Sequence, residues 1–187
     1  MIDPEVKRAV ELLRRGGIIL YPTDTVWGIG CDATLPEAVV KIYDLKGSVN
    51  KKGMIVLLDS PDRLLRYIKS VPDVAWDLFD MAEKPLTLIL PGGQNVAPNL
   101  IPDEGTLAVR IPHHDFCRDV VAALGHPLVS TSANFSGEPT PLKFDDIADG
   151  IISGVDLVVD RCEEGNPTGQ ASSIMMIGEG GVFKIIR

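Results

Sequence analysis

Cysteine is scarce in this chain. Cys31, Cys117 and Cys162 are scattered and odd in number among 187 residues. That excludes a disulfide-framed secreted domain and leads one to expect a reducing compartment. Histidine is equally rare, and no Cys/His set has zinc-ligand spacing. His113-His114-x-x-Cys117 is too compact for a metal site and reads as a surface turn entering a helix. No apolar run approaches the roughly 18 residues of a membrane span. Basic residues are in the minority, 18 against 26 acidic, giving a formal net charge of −8. That balance argues against a general nucleic-acid coat or an anionic-membrane binder, although it leaves room for a local basic pocket. The acidic start Met1-Ile2-Asp3-Pro4-Glu5, followed by an amphipathic run, is not that of a signal peptide, so a cytoplasmic protein is expected. There is no GxxxxGK[ST] loop, and no Ser-His-Asp or Cys-His pair stands out. Repeats, low-complexity tracts and domain-separating linkers are also lacking. One domain over residues 1–187 is the natural reading.

What is present is an ordinary globular composition, 45% hydrophobic and 24% charged. Val6, Val10 and Leu13 share a helical face that ends at Gly16-Gly17. Ile18 to Tyr21 reads as a buried strand, Pro36 onward as a second helix and Met54 to Leu58 as a strand. Ser60-Pro61-Asp62 is expected to cap a helix through Ile68, and Val74 to Met81 to form another. Leu86 to Leu90 and Thr106 to Ile111 are strand-like. Phe116 to Leu124 is helical with Gly125 as its C-cap, Pro127 to Ser130 is a strand, and Phe144 to Ile152 is expected to be a helix. Val155 to Val159, Ser172 to Ile177 and Val182 to Ile186 close the chain as strands. This mixture predicts a three-layer α/β fold with a mixed sheet. The stretch from Pro91 to Gly105, rich in Pro, Gly and Asn, reads as either a flap or a surface excursion.

Three segments carry candidate chemistry. Tyr21 to Gly30 combines Thr23, Asp24 and Thr25 with Gly28 and Gly30, which permit a close backbone approach. It is either a ligand loop or a tight turn whose hydroxyls satisfy backbone groups. The loose fit of Gly28-x-Gly30-x-x-Ala33 to a dinucleotide fingerprint fails, because no helix opens directly after the strand. Ser130 to Gly137 places four hydroxyls and an amide just after a strand, where α/β sheets bind ligands; a capped turn is the plain alternative. Lys41 to Lys52 carries four lysines against Asp44, suited to a compact anion. Lys41 reads as a helix-end charge and Lys46 as the better ligand. Arg110 ends a strand and is expected to aim a bidentate donor toward the Thr25 loop; Arg187 closes the last one. Hydroxyls with Lys and Arg, and no evident nucleophile, suit phosphoryl or nucleotidyl transfer by positioning and charge neutralisation.

Together these segments resemble the YrdC/TsaC family of threonylcarbamoyl-adenylate synthases. Pro22 to Ala33 is similar to the family's PT[DE]TVYGLGxxA segment, with Trp27 in place of Tyr. Ser130 to Gly137 is similar to STSANxSG, and Leu107 to Pro112 to the AVRxP strand. Ser172-Ser173-Ile174 and Ile185-Ile186-Arg187 resemble the late STI and LLR segments. The order and spacing agree from about Gly16 to Arg187.

The resemblance implies a single YrdC-like domain, a twisted mixed sheet with helices on both faces enclosing a deep positive cavity. It implies a nucleotidyltransferase that makes threonylcarbamoyl-AMP and pyrophosphate from L-threonine, bicarbonate or CO2, and ATP, with Mg2+ on the phosphates. Partner proteins then move the group onto a tRNA adenosine. Carried over by motif, Thr25, Thr106, Arg110, Ser132 and Ser172 would hold threonine or its carbamate, with Arg110 on the carboxylate. Lys46, Ser48, Lys52, Asn134 and Arg187 would lie at the nucleotide, and Lys46 and Arg110 would be catalytic. Where the family has Lys-x-Arg-Pro, this chain has Lys46-Gly47-Ser48-Val49. Ser48 thus replaces a fixed positive charge, and a nearby lysine is not its bidentate equivalent. The family's tryptophan-proline-glycine turn is likewise replaced by Ala82-Glu83-Lys84-Pro85. The alternative is therefore a paralogue with weak or no synthase activity that binds nucleotide or double-stranded RNA.

Overall fold

The computed structural model describes residues 2–48, 54–178 and 182–187. Asp3 accepts hydrogen bonds from the backbone N–H of Glu5 (2.7 Å) and Val6, starting α1 (Pro4–Leu13). Gly16 then turns the chain with φ +74° into β1 (Ile19–Tyr21). A hairpin leads to β2 (Gly28–Gly30), and α2 (Pro36–Lys46) follows, ending in the left-handed Gly47. Next come β3 (Ile55–Leu57), α3 (Leu64–Tyr67), α4 (Asp73–Met81), β4 (Leu86–Pro91) and β5 (Thr106–Arg110). The chain continues through α5 (Asp115–Leu124), β6 (Leu128–Ser132), α6 (Asp149–Gly154), β7 (Leu157–Val158), β8 (Ser173–Ile177) and β9 (Phe183–Ile185).

The strands form one mixed sheet in the order β7-β1-β2-β6-β3-β5-β4-β8-β9. Pairs β1–β7, β3–β5 and β4–β8 are parallel and the rest antiparallel. Alternation along each strand divides the core in two. Ile19, Tyr21, Leu57 and Leu128 pack with Val6, Val10 and Leu13 of α1 and Phe116, Val120 and Leu124 of α5. Their neighbours Leu20, Val56 and Val129 pack on the other face with Val39 and Ile42 of α2, Leu64 of α3 and Ile151 of α6. This is the three-layer arrangement that the sequence predicts.

Several elements differ from expectation. The β2 strand lies inside what reads as a loop, because Gly-Ile-Gly has little intrinsic strand preference. It is a strand because β1 and β6 pair with it on either side, and because it must be thin: a Cβ on Gly30 would lie 2.5 Å from the Val129 carbonyl oxygen and 2.7 Å from the Tyr21 ring. Phe144 to Ile152 is not one helix. A 3-10 turn (Phe144–Asp146) and α6 are separated by Ile147 and Ala148, both extended, which lets Ile147 bury its side chain. Ser60 makes no side-chain cap. A 3-10 turn (Pro61–Arg63) precedes α3, which stops before the extended Ile68. The stretch between β4 and β5 is pinned to the body: Gln94 donates its N–H to the Tyr67 carbonyl, Ala97 donates to that of Ala33, and Leu100 is buried. Lys41 is not a helix-end charge: it lies midway along α2 and donates to the Gly16 carbonyl (2.7 Å), tying α2 to the turn after α1.

Gly30→Ala should lower stability by about 1–3 kcal/mol, the usual cost of overpacking. Urea unfolding would show this as a lower midpoint at unchanged slope.

Candidate active site

The β1–β2 hairpin, the end of α2, β6, the end of β5 and the start of β8 converge on a cavity of about 380 Å³. Thr25, Lys46, Ser48, Arg110, Ser132, Ser172 and Arg187 all line it, so seven of the sequence candidates come together from six separate segments. Three do not. Lys52 lies outside the described residues. Thr106 stands at the opposite end of β5 from Arg110, facing Pro91 in register, about 13 Å away at a strand's rise per residue, and does not line the cavity. Asn134 is also absent from the lining: its Nδ2 donates to the carbonyls of Phe135 (3.0 Å) and Glu138 (2.8 Å). The amide nitrogen thus shapes the turn after β6, while Oδ1 is buried without a partner among the described residues.

Arg110 is the best-defined cation. It is 4% exposed and pairs through Nη2 with the buried carboxylate of Asp24. Its Nη1 donates to Thr25 Oγ1 (3.0 Å), and the other Asp24 oxygen accepts the His113 backbone N–H (3.1 Å). The Arg110 Nε–H is buried without a hydrogen-bond partner among the described residues. An unpaired buried donor is costly; the atom is shielded from solvent, so an anionic oxygen in the cavity reaches it only with a small shift of its neighbours. Guanidinium geometry presents Nε with one Nη as a fork that fits a carboxylate.

Lys46 lies across the cavity. Its Nζ donates to the carbonyls of Ser132 (2.5 Å) and Asn134 (2.6 Å), and an ammonium has three donors, so one remains. Burial holds its pKa down at about 8, against 10.5 for a free lysine. The group is therefore charged at pH 7 and loses its charge as pH rises through about 8. Ser48 shares a hydrogen bond with Ser136 (2.6 Å between hydroxyls), bridging the end of α2 to the turn after β6. Ser172 pairs with the fully buried Thr87 of β4 (2.8 Å), and its carbonyl accepts Arg187 Nε (3.2 Å). Among the described residues the lining side chains include three cations and no carboxylate. Among the described residues no group of three or more His, Cys, Asp or Glu side chains converges to hold a metal ion.

Sequence reasoning missed several contributors. Asp24 was legible in principle, since a buried acid needs a cation and Arg110 ends a neighbouring strand. Thr87 is the one hydroxyl within the apolar run Leu86 to Leu90, a pattern that marks a polar partner inside the fold. Trp27, 1% exposed, lines the cavity, packs edge-on against Phe144 at 4.8 Å and donates Nε1 to Glu164 (2.8 Å). No local pattern pointed to Glu164.

The Sua5/YciO/YrdC family profile, described as telomere recombination, matches residues 11–187. This chain belongs to that family. A protein named threonylcarbamoyl-AMP synthase from Pseudoalteromonas translucida is 32% identical over 96% of both chains. One of the same name from Xanthomonas euvesicatoria is 36% identical over 83% of this chain and 85% of its own. The crystal structure of P. abyssi Sua5 complexed with L-threonine matches 97% of this chain at TM-score 0.88 and 27% identity, while this chain covers 53% of that one. E. coli YciO, at TM-score 0.81 and 24% identity over 97% of this chain and 87% of its own, shares the fold.

The Asp24–Arg110 pair is central to the site's geometry. Asp24→Asn would leave a buried guanidinium uncompensated and should cost about 3–5 kcal/mol. Chemical denaturation would measure it, and a loss below about 1 kcal/mol would show that the pair does not hold the hairpin in place.

Proposed function

We propose that this protein is a threonylcarbamoyl-AMP synthase. The observation that carries the reading is the pairing, in one cavity, of a cation with an unpaired buried N–H (Arg110) and an ammonium with two of its three donors satisfied (Lys46), flanked by the Thr25, Ser132 and Ser172 hydroxyls. The synthase relatives aligned over most of the chain support it.

In this reading L-threonine places its carboxylate on Arg110. Its amine attacks CO2, forming an N–C bond and releasing a proton, to give the carbamate. A carbamate oxygen then attacks the α-phosphorus of ATP, and the bond to pyrophosphate breaks. Neither step needs a protein nucleophile. The protein's task is alignment and neutralisation of developing charge. Lys46 provides a fixed positive charge at the phosphates, and Arg187 and Ser48 also line the cavity. Mg2+ would arrive as part of the ATP substrate, neutralising phosphate oxygens and accepting ligands from the phosphates and the lining hydroxyls. Transfer to a tRNA adenosine falls to partner proteins, so the chain's net charge of −8 is no obstacle. Cytoplasmic location fits this role, and no described helix is long and apolar enough to cross a membrane.

The test is incubation with ATP, Mg2+, bicarbonate and L-threonine, omitting each in turn, with pyrophosphate and adenylate measured. Product requiring all three substrates is expected, and Arg110→Ala should abolish the threonine-dependent product. ATP binding without product would favour the non-catalytic paralogue, with Ser48 as its cause. RNA affinity with a steep salt slope would favour an RNA-binding role.

Lys46 adds a pH signature. Its ammonium is present below about pH 8 and lost above it, so ATP affinity should fall between pH 7.5 and 9.5. Lys46→Met should bind ATP more weakly, with a flat profile over that range. A wild-type profile equally flat would remove Lys46 from the phosphate site.

A further inference from the structure

The hydrogen bonds around Thr25 fix the direction of its hydroxyl proton. Thr23 Oγ1 lies 2.7 Å from the Val26 carbonyl oxygen, which only accepts, so the single Thr23 proton is committed there. One Thr23 Oγ1 lone pair is shared in a three-centre bond by the backbone N–H groups of Thr25 (3.0 Å) and Val26 (3.3 Å), which leaves the second lone pair for Thr25 Oγ1. In its 2.8 Å contact with Thr25 Oγ1, Thr23 therefore accepts and Thr25 donates. Thr25 Oγ1 in turn accepts from Arg110 Nη1 (3.0 Å). A hydroxyl has one proton and two lone pairs. With the proton spent on Thr23 and one lone pair on Arg110, Thr25 retains a single acceptor lone pair on the cavity side.

We infer that Thr23 is a positioning residue that makes Thr25 an acceptor only, and that this acceptor selects the α-amine of the substrate. The inference rests on the proposed reaction. A hydroxyl in that state repels carboxylate and phosphate oxygens and takes an N–H or O–H. Arg110, whose free Nε–H suits the carboxylate, is directly bonded to Thr25, so the donor read by Thr25 must lie close to that carboxylate. In threonine the α-amine is one bond nearer to it than the β-hydroxyl. The contact also persists through the reaction, because the carbamate nitrogen keeps one N–H. Thr23 is 2% exposed and Thr25 3%, so bulk water competes little for either hydroxyl.

The test measures L-threonine binding calorimetrically, with ATP binding followed separately. Thr23→Val removes the acceptor that holds the Thr25 proton. It should weaken threonine binding about tenfold, the loss of one hydrogen bond, and raise the threonine KM more than it lowers kcat. ATP affinity should be unchanged, and Thr23→Ser should restore threonine binding. The affinity for 2-aminobutyrate, which lacks the β-hydroxyl, should fall by the same factor. A loss confined to threonine would assign Thr25 to the β-hydroxyl and overturn the amine reading, and wild-type affinity in Thr23→Val would overturn the positioning role. If Thr23→Val does not fold, competition on the wild-type protein decides. 2-Aminobutyrate should displace threonine better than 3-hydroxybutyrate, which has no amine, and the reverse order would contradict the inference. Wild-type protein that binds no threonine at all would instead defeat the proposed function.

Discussion

The buried ion pair between Asp24 and Arg110 is the constraint on which the site depends. Two charges taken out of water are tolerated only when closely paired and hydrogen-bonded. Here the pair joins the β1–β2 hairpin to the end of β5, with β6 and β3 lying between them in the sheet. The second Asp24 oxygen holds the backbone at His113, just before α5. Two backbone carbonyls of the same turn, Asp24 and Thr25, accept N–H groups from Thr168 and Gly169 (both 2.9 Å), so the segment that leads to Ser172 is registered on the same turn. One acid thus sets the relative positions of the Thr25 hydroxyl, the guanidinium and the approach to β8. It leaves the Arg110 Nε–H as the unsatisfied group, which gives the cavity a directed demand for an anion.

Lys46 obeys a related logic with the opposite solution. Among the described residues it has no carboxylate partner. A carbonyl at the end of β6 and one in the turn after it accept its hydrogen bonds, and burial lowers its pKa. An ammonium held by neutral acceptors keeps its full charge for a ligand, whereas a salt-bridged one is already neutralised. The acidic chain as a whole and the cationic cavity are therefore compatible. Ser48 keeps a hydroxyl at the cavity edge where the related pattern has a guanidinium, and its bond to Ser136 closes α2 against the turn that contains Asn134.

Much of this was legible in the sequence, for identifiable reasons. The amphipathic faces of α1 and α5 and the apolar runs of β1, β4 and β5 follow from hydrophobic periodicity, which burial enforces. The clustering of Thr25, Lys46, Arg110, Ser132 and Ser172 followed from motifs, because their elements end on one side of the sheet. What was not legible depends on contacts between distant residues. β2 is a strand only because its neighbours pair with it. The break at Ile147 follows from where that side chain finds burial. Asn134 reads like a ligand in the motif, yet the fold spends its amide on two carbonyls. Thr106 fails for a simpler reason: it shares a strand with Arg110 but occupies the wrong end. Thr23, whose proton direction defines Thr25, looks in the sequence like any turn hydroxyl.

The central claim is that Arg110, held by Asp24, receives the amino-acid carboxylate in this cavity. A crystal structure of the protein with L-threonine and a non-hydrolysable ATP analogue tests it most directly. The account predicts the threonine carboxylate within about 3 Å of Arg110 Nε, the Asp24–Arg110 pair intact and the phosphates toward Lys46. Threonine bound away from Arg110, or Arg110 swung off Asp24 to reach a phosphate, would contradict it.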